Sequence, residues 1–570
     1  MKSKIYNLTF ILFTFFILQI QSYGQDAELT VRETGWGKVD IKGFSLKADS
    51  KIKLSGNGES LNRRGTGEVA YGWILNSDSR EVVWNLLEDN DFKKSRKLFD
   101  FEKEIYLKKG DYEVYYTSGD NNYNNGYNFG DFLNDLFSLG NRRSGKRSGN
   151  KLFMTVSGPS GIFAPNKGTE IVDQKAKNAI VSIIRTGDDE HIKKGFSLSG
   201  ETKIRVYAIG EESGSNAADY AWITDVKRNK RVWTMDTEWS GHAGGGEKNI
   251  FENKDIVLPA GSYMVHYLTD DSHSFEKWNV LPPRDPQFWG VTLWALSKED
   301  FAKIKPFREE DIVKPVVDLT KVRDDENLSK GFSLPEPMEL RIVCLGESGG
   351  RDLADYGWII NADTRKTVWE MNYRDSEHAG GAGKNRMIDQ VVRFDKGNYI
   401  AYYVTDGSHA YNNWNSSPPF DPDQWGIAIW TEKESDSKKV KSFNETEFKD
   451  DNIIAQIVRV RDDERIKKTF SLDKDTQVRI YALGEGSGND MADYGWIEKK
   501  ENGRIVWEMT YKATEHAGGS SKNRLFDGSI FLPKGNYILF YETDDSHSYR
   551  NWNDDPPRDP EMYGITIYYR

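Results

Sequence analysis

The strongest constraint on this chain is internal repetition. The stretch Thr543 to Gly564, TDDSHSYRNWNDDPPRDPEMYG, recurs with the same internal spacing as Thr269 to Gly290 and as Thr405 to Gly426. Aligned on Phe196, Phe332 and Phe470 of three Phe-Ser-Leu triplets, the copies run without a gap for about a hundred residues. They share Glu211, Glu347 and Glu485, then an Asp-Tyr-x-Trp-Ile segment that holds Asp219, Asp355 and Asp493 with Trp222, Trp358 and Trp496. A His-Ala-Gly-Gly loop follows, with His242, His378 and His516, and after it Asn249, Asn385 and Asn523. The long loop then supplies Asp270, Asp406 and Asp544 with His273, His409 and His547. A fixed period of this kind means that one structural unit is used several times.

A degenerate copy precedes these three. Phe44-Ser-Leu46, Tyr71-Gly-Trp73-Ile74, Val83-Trp84 and Gly110-Asp-Tyr112 match the strand skeleton. Ala70 replaces the Asp before Tyr, His-Ala-Gly-Gly is missing, and Thr117-Ser-Gly-Asp-Asn stands where the others have Thr-Asp-x-Ser-His. The first copy keeps the scaffold and drops the polar set, as terminal units of arrays often do.

Each copy reads as β structure. In the last, Gln477 to Glu485 alternates, Tyr494 to Ile497 and Ile505 to Met509 flank the turn Glu501-Asn-Gly-Arg504, and Gly535 to Tyr541 follows Leu532-Pro-Lys. About eight such strands predict an antiparallel β-sandwich, jelly-roll-like, and the chain as an all-β tandem of such repeats. The expected divisions are a signal peptide at 1–25, a degenerate sandwich at 26–170, and three further sandwiches at 176–297, 314–431 and 453–570. The charged stretches Ser297 to Lys314 and Thr431 to Asn452 fit linkers, as short helices or flexible spacers. Residues 123–150 read as an inserted loop with a short amphipathic stretch and a basic run.

Lys2 and Lys4 precede an apolar run from Leu8 to Ile20 and the small residues Ser22 and Gly24, the pattern of a secretory signal. No later stretch is apolar enough to span a membrane. The expected location is therefore secreted, periplasmic or cell-surface, with no cysteine near the signal end to carry a lipid. The one cysteine, Cys344, takes the place of Ala208 and Ala482 in the other copies and fits a small buried strand residue. A formal net charge of -11 argues against nucleic acid as a partner, since phosphate binding needs a basic footprint.

If successive strands are antiparallel, the loops alternate between the two ends of the sandwich. The turns of variable sequence fall at one end and the shared polar residues converge at the other. Two imidazoles with several carboxylates suit zinc, whereas calcium would use the carboxylates, Asn and backbone carbonyls. The candidate metal ligands are His242, His273, Asp219 and Asp270; His378, His409, Asp355 and Asp406; and His516, His547, Asp493 and Asp544. The candidate ligand contacts are Trp278, Asn279, Asp285 and Glu211; Trp414, Asn415, Asp421 and Glu347; and Trp552, Asn553, Asp559 and Glu485. In these sets Trp is either a stacking platform for a sugar or a plug in the end of the sandwich. Trp222, Trp358 and Trp496 are expected in the core. The alternative to any ligand is that Asp, His and Asn simply hydrogen-bond long loops into place.

The outline of Phe-x-Leu, an apolar strand, an aromatic-Ile strand and Gly-x-Tyr resembles bacterial extracellular sandwich modules of the pre-peptidase C-terminal type. The resemblance covers strand skeletons only, and no site residue is carried over from it. It implies an accessory, non-catalytic module. The function expected is multivalent binding or adhesion to an extracellular glycan or protein matrix, with tips ordered by metal. One alternative is a metal- or His/Asp-dependent extracellular hydrolase, for which Ser546, His516 and Asp544 supply a Ser-His-Asp grouping without a Gly-x-Ser-x-Gly motif. The other alternative is a structural spacer.

Overall fold

A computed structural model of the protein describes residues 26–60, 68–92, 97–120, 152–214, 216–238, 240–444 and 452–570. The expected signal segment and the insertion at 123–150 lie outside the described residues. The chain divides into two compact units. One is formed by Met1–Asp225 with Lys230–Arg308, the other by Val226–Asn229 with Glu309–Arg570.

Every repeat builds the same pair of antiparallel layers. In the last, one layer has the order Ile453–Val458, Gly564–Tyr569, Thr476–Ser487, Asn523–Leu532, Glu515–His516. The other has the order Arg465–Leu472, Gly535–Glu542, Tyr494–Lys499, Ile505–Glu508. The third repeat repeats this arrangement. In the second, Glu211 to Ser213 also pairs with Asn216 to Asp219, which joins its layers into a single ten-stranded sheet. In the first, Glu59 pairs with Ala70 and makes the equivalent join.

The core follows from the alternation of the strands. Trp222 and Trp358 are fully buried and Trp496 is 6% exposed, in line with their expected place. Phe470 of the Phe-Ser-Leu triplet stacks on Tyr537 of Gly-x-Tyr with centroids 5.3 Å apart, and Trp496 stacks on Phe540 at 4.9 Å. Cys344 is wholly buried, and burial raises its thiol pKa well above the usual value, so the reactive thiolate is suppressed.

The linkers are built into the repeats. Lys298–Ala302 is helical, and Ile304–Lys305 pairs with Ser197–Leu198 of its own repeat. Lys441–Phe443 likewise pairs with Gly331 to Ser333. A Cβ at Gly195 would lie 2.3 Å from the Phe307 ring, and one at Gly331 would lie 2.2 Å from Phe443. Each glycine admits an aromatic ring from the segment that follows its repeat. The last repeat carries Thr469 at the equivalent position.

Candidate functional site

Three strand ends supply the carboxylates. In the last repeat Glu485 lies near the end of Thr476–Ser487, opposite Asn523; Asp493 immediately precedes Tyr494–Lys499; and Asp544 follows Gly535–Glu542. One oxygen from each lies within 4.8 Å of the others, and the same holds for Glu347, Asp355 and Asp406 and for Glu211, Asp219 and Asp270. These are three clusters with a geometry that could hold a metal ion.

Within a cluster the acids differ in role. Asp493 is fully buried; its Oδ1 accepts the backbone N–H of Asp544 at 2.9 Å and its Oδ2 accepts the Tyr563 hydroxyl at 2.6 Å. Asp219 and Asp355 make the same backbone contact but take an indole N–H, from Trp289 at 3.1 Å and Trp425 at 3.0 Å. This Asp ties the long loop to the strand. Desolvation by burial raises its pKa, to about 8 for Asp355 and about 7 for Asp493, and well above the ordinary range for Asp219.

The Glu has one committed oxygen. Oε1 pairs with Lys248 at 2.6 Å, Lys384 at 2.8 Å and Lys522 at 3.0 Å in the three repeats. Oε2 of Glu211, Glu347 and Glu485 is buried with no hydrogen-bond donor. Burial raises the Glu211 pKa to about 7 against the pull of the Lys248 ammonium. The sequence reading missed these lysines. The signal was present as a Lys-Asn pair that recurs at 248–249, 384–385 and 522–523.

The histidines expected among the metal ligands stand outside the clusters. His242, His378 and His516 each bond through Nε2 to a carbonyl four residues on, Gly246, Ala382 and Ser520, at 3.0 to 3.1 Å, and so close their own loop. His273, His409 and His547 are fully buried and bond through Nε2 to Asn249, Asn385 and Asn523 at 2.6 to 2.7 Å. The Asn523 amide donates to the carbonyls of Gly518 and Asp555, so its oxygen faces the ring and Nε2 carries the proton. On the other side, Nδ1 of His409 and His547 meets Asn415 and Asn553 at 2.9 Å. Burial, and then the nearby lysine, lower the pKa of His409 and His547 to about 4. A His-Asn pair therefore fastens the long loop to the His-Ala-Gly-Gly loop.

The second glycine of that motif completes the fastening. Gly245, Gly381 and Gly519 have φ between 63° and 72°, and a Cβ there would lie 1.9 to 2.0 Å from the carbonyl oxygen of Pro282, Pro418 or Pro556. Trp278, Trp414 and Trp552 meet the buried histidine edge-on at 5.1 to 5.2 Å. Trp278 is 8% exposed, while Trp414 and Trp552 are half-buried. Asn415 and Asn553 accept from Lys384 and Lys522, at 2.6 and 2.5 Å. In the second repeat Nδ1 of His273 is buried with no hydrogen-bond partner, so Asn279 does not reproduce the ring contact of Asn415 and Asn553.

Asp285 and Asp559 do not face an open surface, contrary to their expected part in ligand contact. Asp285 is buried against Arg80 of the first repeat at 2.6 Å, and Asp559 lies 3.4 Å from Arg365 of the third. Trp73 donates to the carbonyl of Arg284 and Trp358 to that of Arg558, both at 2.7 Å. The Pro-Pro-Arg-Asp-Pro segment is thus a joint to the preceding repeat within each unit. Asp421 occupies the equivalent turn in the third repeat, in the left-handed region at φ 52°.

The grouping Ser546, His516 and Asp544 is not a hydrogen-bonded relay. His516 Nε2 is engaged with Ser520, and Ser546 meets Asp544 through its backbone N–H at 3.1 Å.

No family model matches the chain, and no curated protein does. Among solved structures it is similar to the CUB1-EGF-CUB2 domain of human MASP-1/3, at 10% identity over 47% of this chain and 99% of that one, with a TM-score of 0.12. It is also similar to the CBM32-1, CBM32-2 and M60 catalytic domains of Clostridium perfringens ZmpB, at 7% identity over 67% of this chain and 53% of that one, with a TM-score of 0.11. Scores this low carry no argument about function. Among the described residues no helix is long and apolar enough to cross a membrane.

Proposed function

We propose that this chain is a secreted or surface-held, non-catalytic binding protein, an array of four sandwiches of which the second, third and fourth each carry a cation-ordered tip. The observation that supports this is the same Glu, Asp, Asp cluster in three copies, each with one buried Glu oxygen that lacks a donor. Three carboxylates against one lysine ammonium leave an excess of negative charge. A bound cation or retained protons must offset it.

The donors are oxygens, with imidazole engaged elsewhere, so the cation is a hard one, calcium before zinc. Such an ion would draw on Glu347 and Asp406 most directly, because both oxygens of Asp355 already hold loop atoms. The ligand class is an extracellular glycan or protein matrix. Three equivalent weak sites on one chain raise avidity without any new contact. The secreted location rests on the apolar leader of the sequence.

Calcium titration of the purified chain by calorimetry tests the cation. About three equivalents are expected for the wild type. In Glu211→Gln/Glu347→Gln/Glu485→Gln the binding is expected to disappear while the far-UV spectrum is kept. Absence of calcium binding by the wild type, together with unchanged stability in chelator, would overturn the reading.

A further inference from the structure

The two units use the same joint and finish it differently. In the first unit the residues after Trp278-Asn279 are Val280 and Leu281. Leu281 is 4% exposed and belongs to the apolar core of the first repeat; a Cβ on Gly119 would lie 2.8 Å from it. Leu281 fills the joint there. In the second unit the equivalent residues are Asp554 and Asp555, and between the third and fourth repeats a cleft of about 820 Å³ remains. A volume of that order suits a ligand the size of a short peptide or oligosaccharide.

The chemistry of the walls is one-sided. Asp325, Glu326, Asp406, Asp554, Asp555 and Glu561 line the cleft, and Arg550 is the one basic residue among its walls. Glu561 is paired with Arg459 at 2.6 Å. Among the described residues Asp325, Glu326, Asp406 and Asp554 form no ion pair. Trp552, half-buried, adds aromatic surface. Asp406 belongs to the carboxylate cluster of the third repeat, where Glu347, 7% exposed, keeps one oxygen without a donor.

We infer that the cleft between the third and fourth repeats binds a cationic peptide segment, with lysine or arginine heads on the carboxylates and their apolar stems along Trp552. A carboxylate surplus lowers the free energy of ammonium and guanidinium groups and steers them in from a distance. Aromatic faces add cation–π attraction and cover the methylene stems. A neutral glycan would gain nothing from the excess charge. The degenerate first repeat fits this division. Gly119 stands at the position of Asp406, and the joint the first repeat shares with the second is filled by Leu281 instead of left open. This inference deepens the binding reading above by naming the partner class for one of the three tips, and it rests on that reading.

The test is fluorescence polarisation of the full chain with a fluorescein-labelled tetralysine peptide, at physiological ionic strength, in chelator and in calcium. Asp554→Val/Asp555→Leu imports the filled joint of the first unit and is expected to weaken binding tenfold or more. Asp325→Asn, at an exposed position, is expected to weaken it several-fold with unchanged thermal unfolding. Asp473→Asn/Glu501→Gln removes the same charge from the far end of the fourth repeat and is expected to leave affinity within twofold. Equal weakening by all three variants would mean unspecific charge attraction and would overturn the inference. So would wild-type affinity in the double cleft variant, or stronger competition from a neutral or amino-sugar tetrasaccharide than from unlabelled tetralysine. Calcium binding is read separately by calorimetry. Peptide binding without calcium binding would remove the cation-ordered tips and leave the cleft; the reverse would remove the cleft alone.

Discussion

The guanidinium of Arg80 bridges two buried carboxylates 172 residues apart in sequence, Glu113 of its own repeat and Asp285 of the next, at 2.6 Å each. The Tyr207 hydroxyl donates to Asp285 at 3.0 Å, and the Tyr115 hydroxyl donates to Glu113. Two hydroxyl donors thus help one cation hold two anions out of water.

The two sides of this joint should respond unequally to mutation. Arg80→Met leaves two buried carboxylates with no cation and should destabilise the first unit by about 3–5 kcal/mol. Asp285→Asn leaves Arg80 paired with Glu113 and should cost clearly less. Urea denaturation followed by tryptophan fluorescence checks the order; equal losses would mean that the ion network is not what holds the repeats.

The His-Asn pair makes the tip a rigid scaffold. Asn523→Ala would remove the donor to two buried loop carbonyls and the acceptor for His547, a loss of about 1–3 kcal/mol for each group left unpaired. The expected readout is faster amide exchange in 516–523 and 543–559, with the strands distant from the tip unchanged.

Gly519→Ala should be as damaging as a core mutation. The new methyl would meet the Pro556 carbonyl at a backbone φ of 63° that side chains seldom adopt. A fall of several degrees in the unfolding midpoint is expected, against a smaller fall for Gly503→Ala, which carries a similar φ strain at 67° but meets nothing within 4 Å.

Acid should loosen the tips through their buried rings. The pKa of His547 falls from 6.5 to about 4 on folding, so the neutral ring is favoured. The stabilisation is complete above pH 6.5 and is lost as pH falls from there to about 4. The stability difference between wild type and His547→Gln, measured by urea midpoints at pH 7.5 and 4.5, should narrow at the lower pH.

The carboxylates predict the opposite trend without cation. Asp355 rises from 3.8 to about 8 on folding, so its protonated form is favoured and its stabilisation declines as pH rises through about 8. In chelator the thermal midpoint of the second unit should fall between pH 6 and 8.5. Calcium in excess should reduce that fall, since an ion on Glu347 and Asp406 offsets the negative charge beside Asp355.

Much of this is legible in residues 176–570 alone. Alternating patterns such as QVRIYALGE carry their own strand signal, and antiparallel strands place Glu485, Asp493 and Asp544 at one end by simple alternation. The structure brings their oxygens within 4.8 Å. The linkers read as charged spacers because Phe307 and Phe443 have meaning only beside Gly195 and Gly331, more than a hundred residues earlier.

The local pattern was therefore enough for the strands, the repeat and the end of the sandwich at which polar residues gather, because side-chain alternation and turn chemistry act over a few residues. The work of each polar residue was not settled there. His547 could read as a metal ligand until Asn523 was found against its Nε2, and Asp559 as a sugar contact until Arg365 of another repeat was found beside it. Burial, desolvation and hydrogen-bond partnership are properties of a packed neighbourhood. Here that neighbourhood is assembled from segments of chain as much as 211 residues apart.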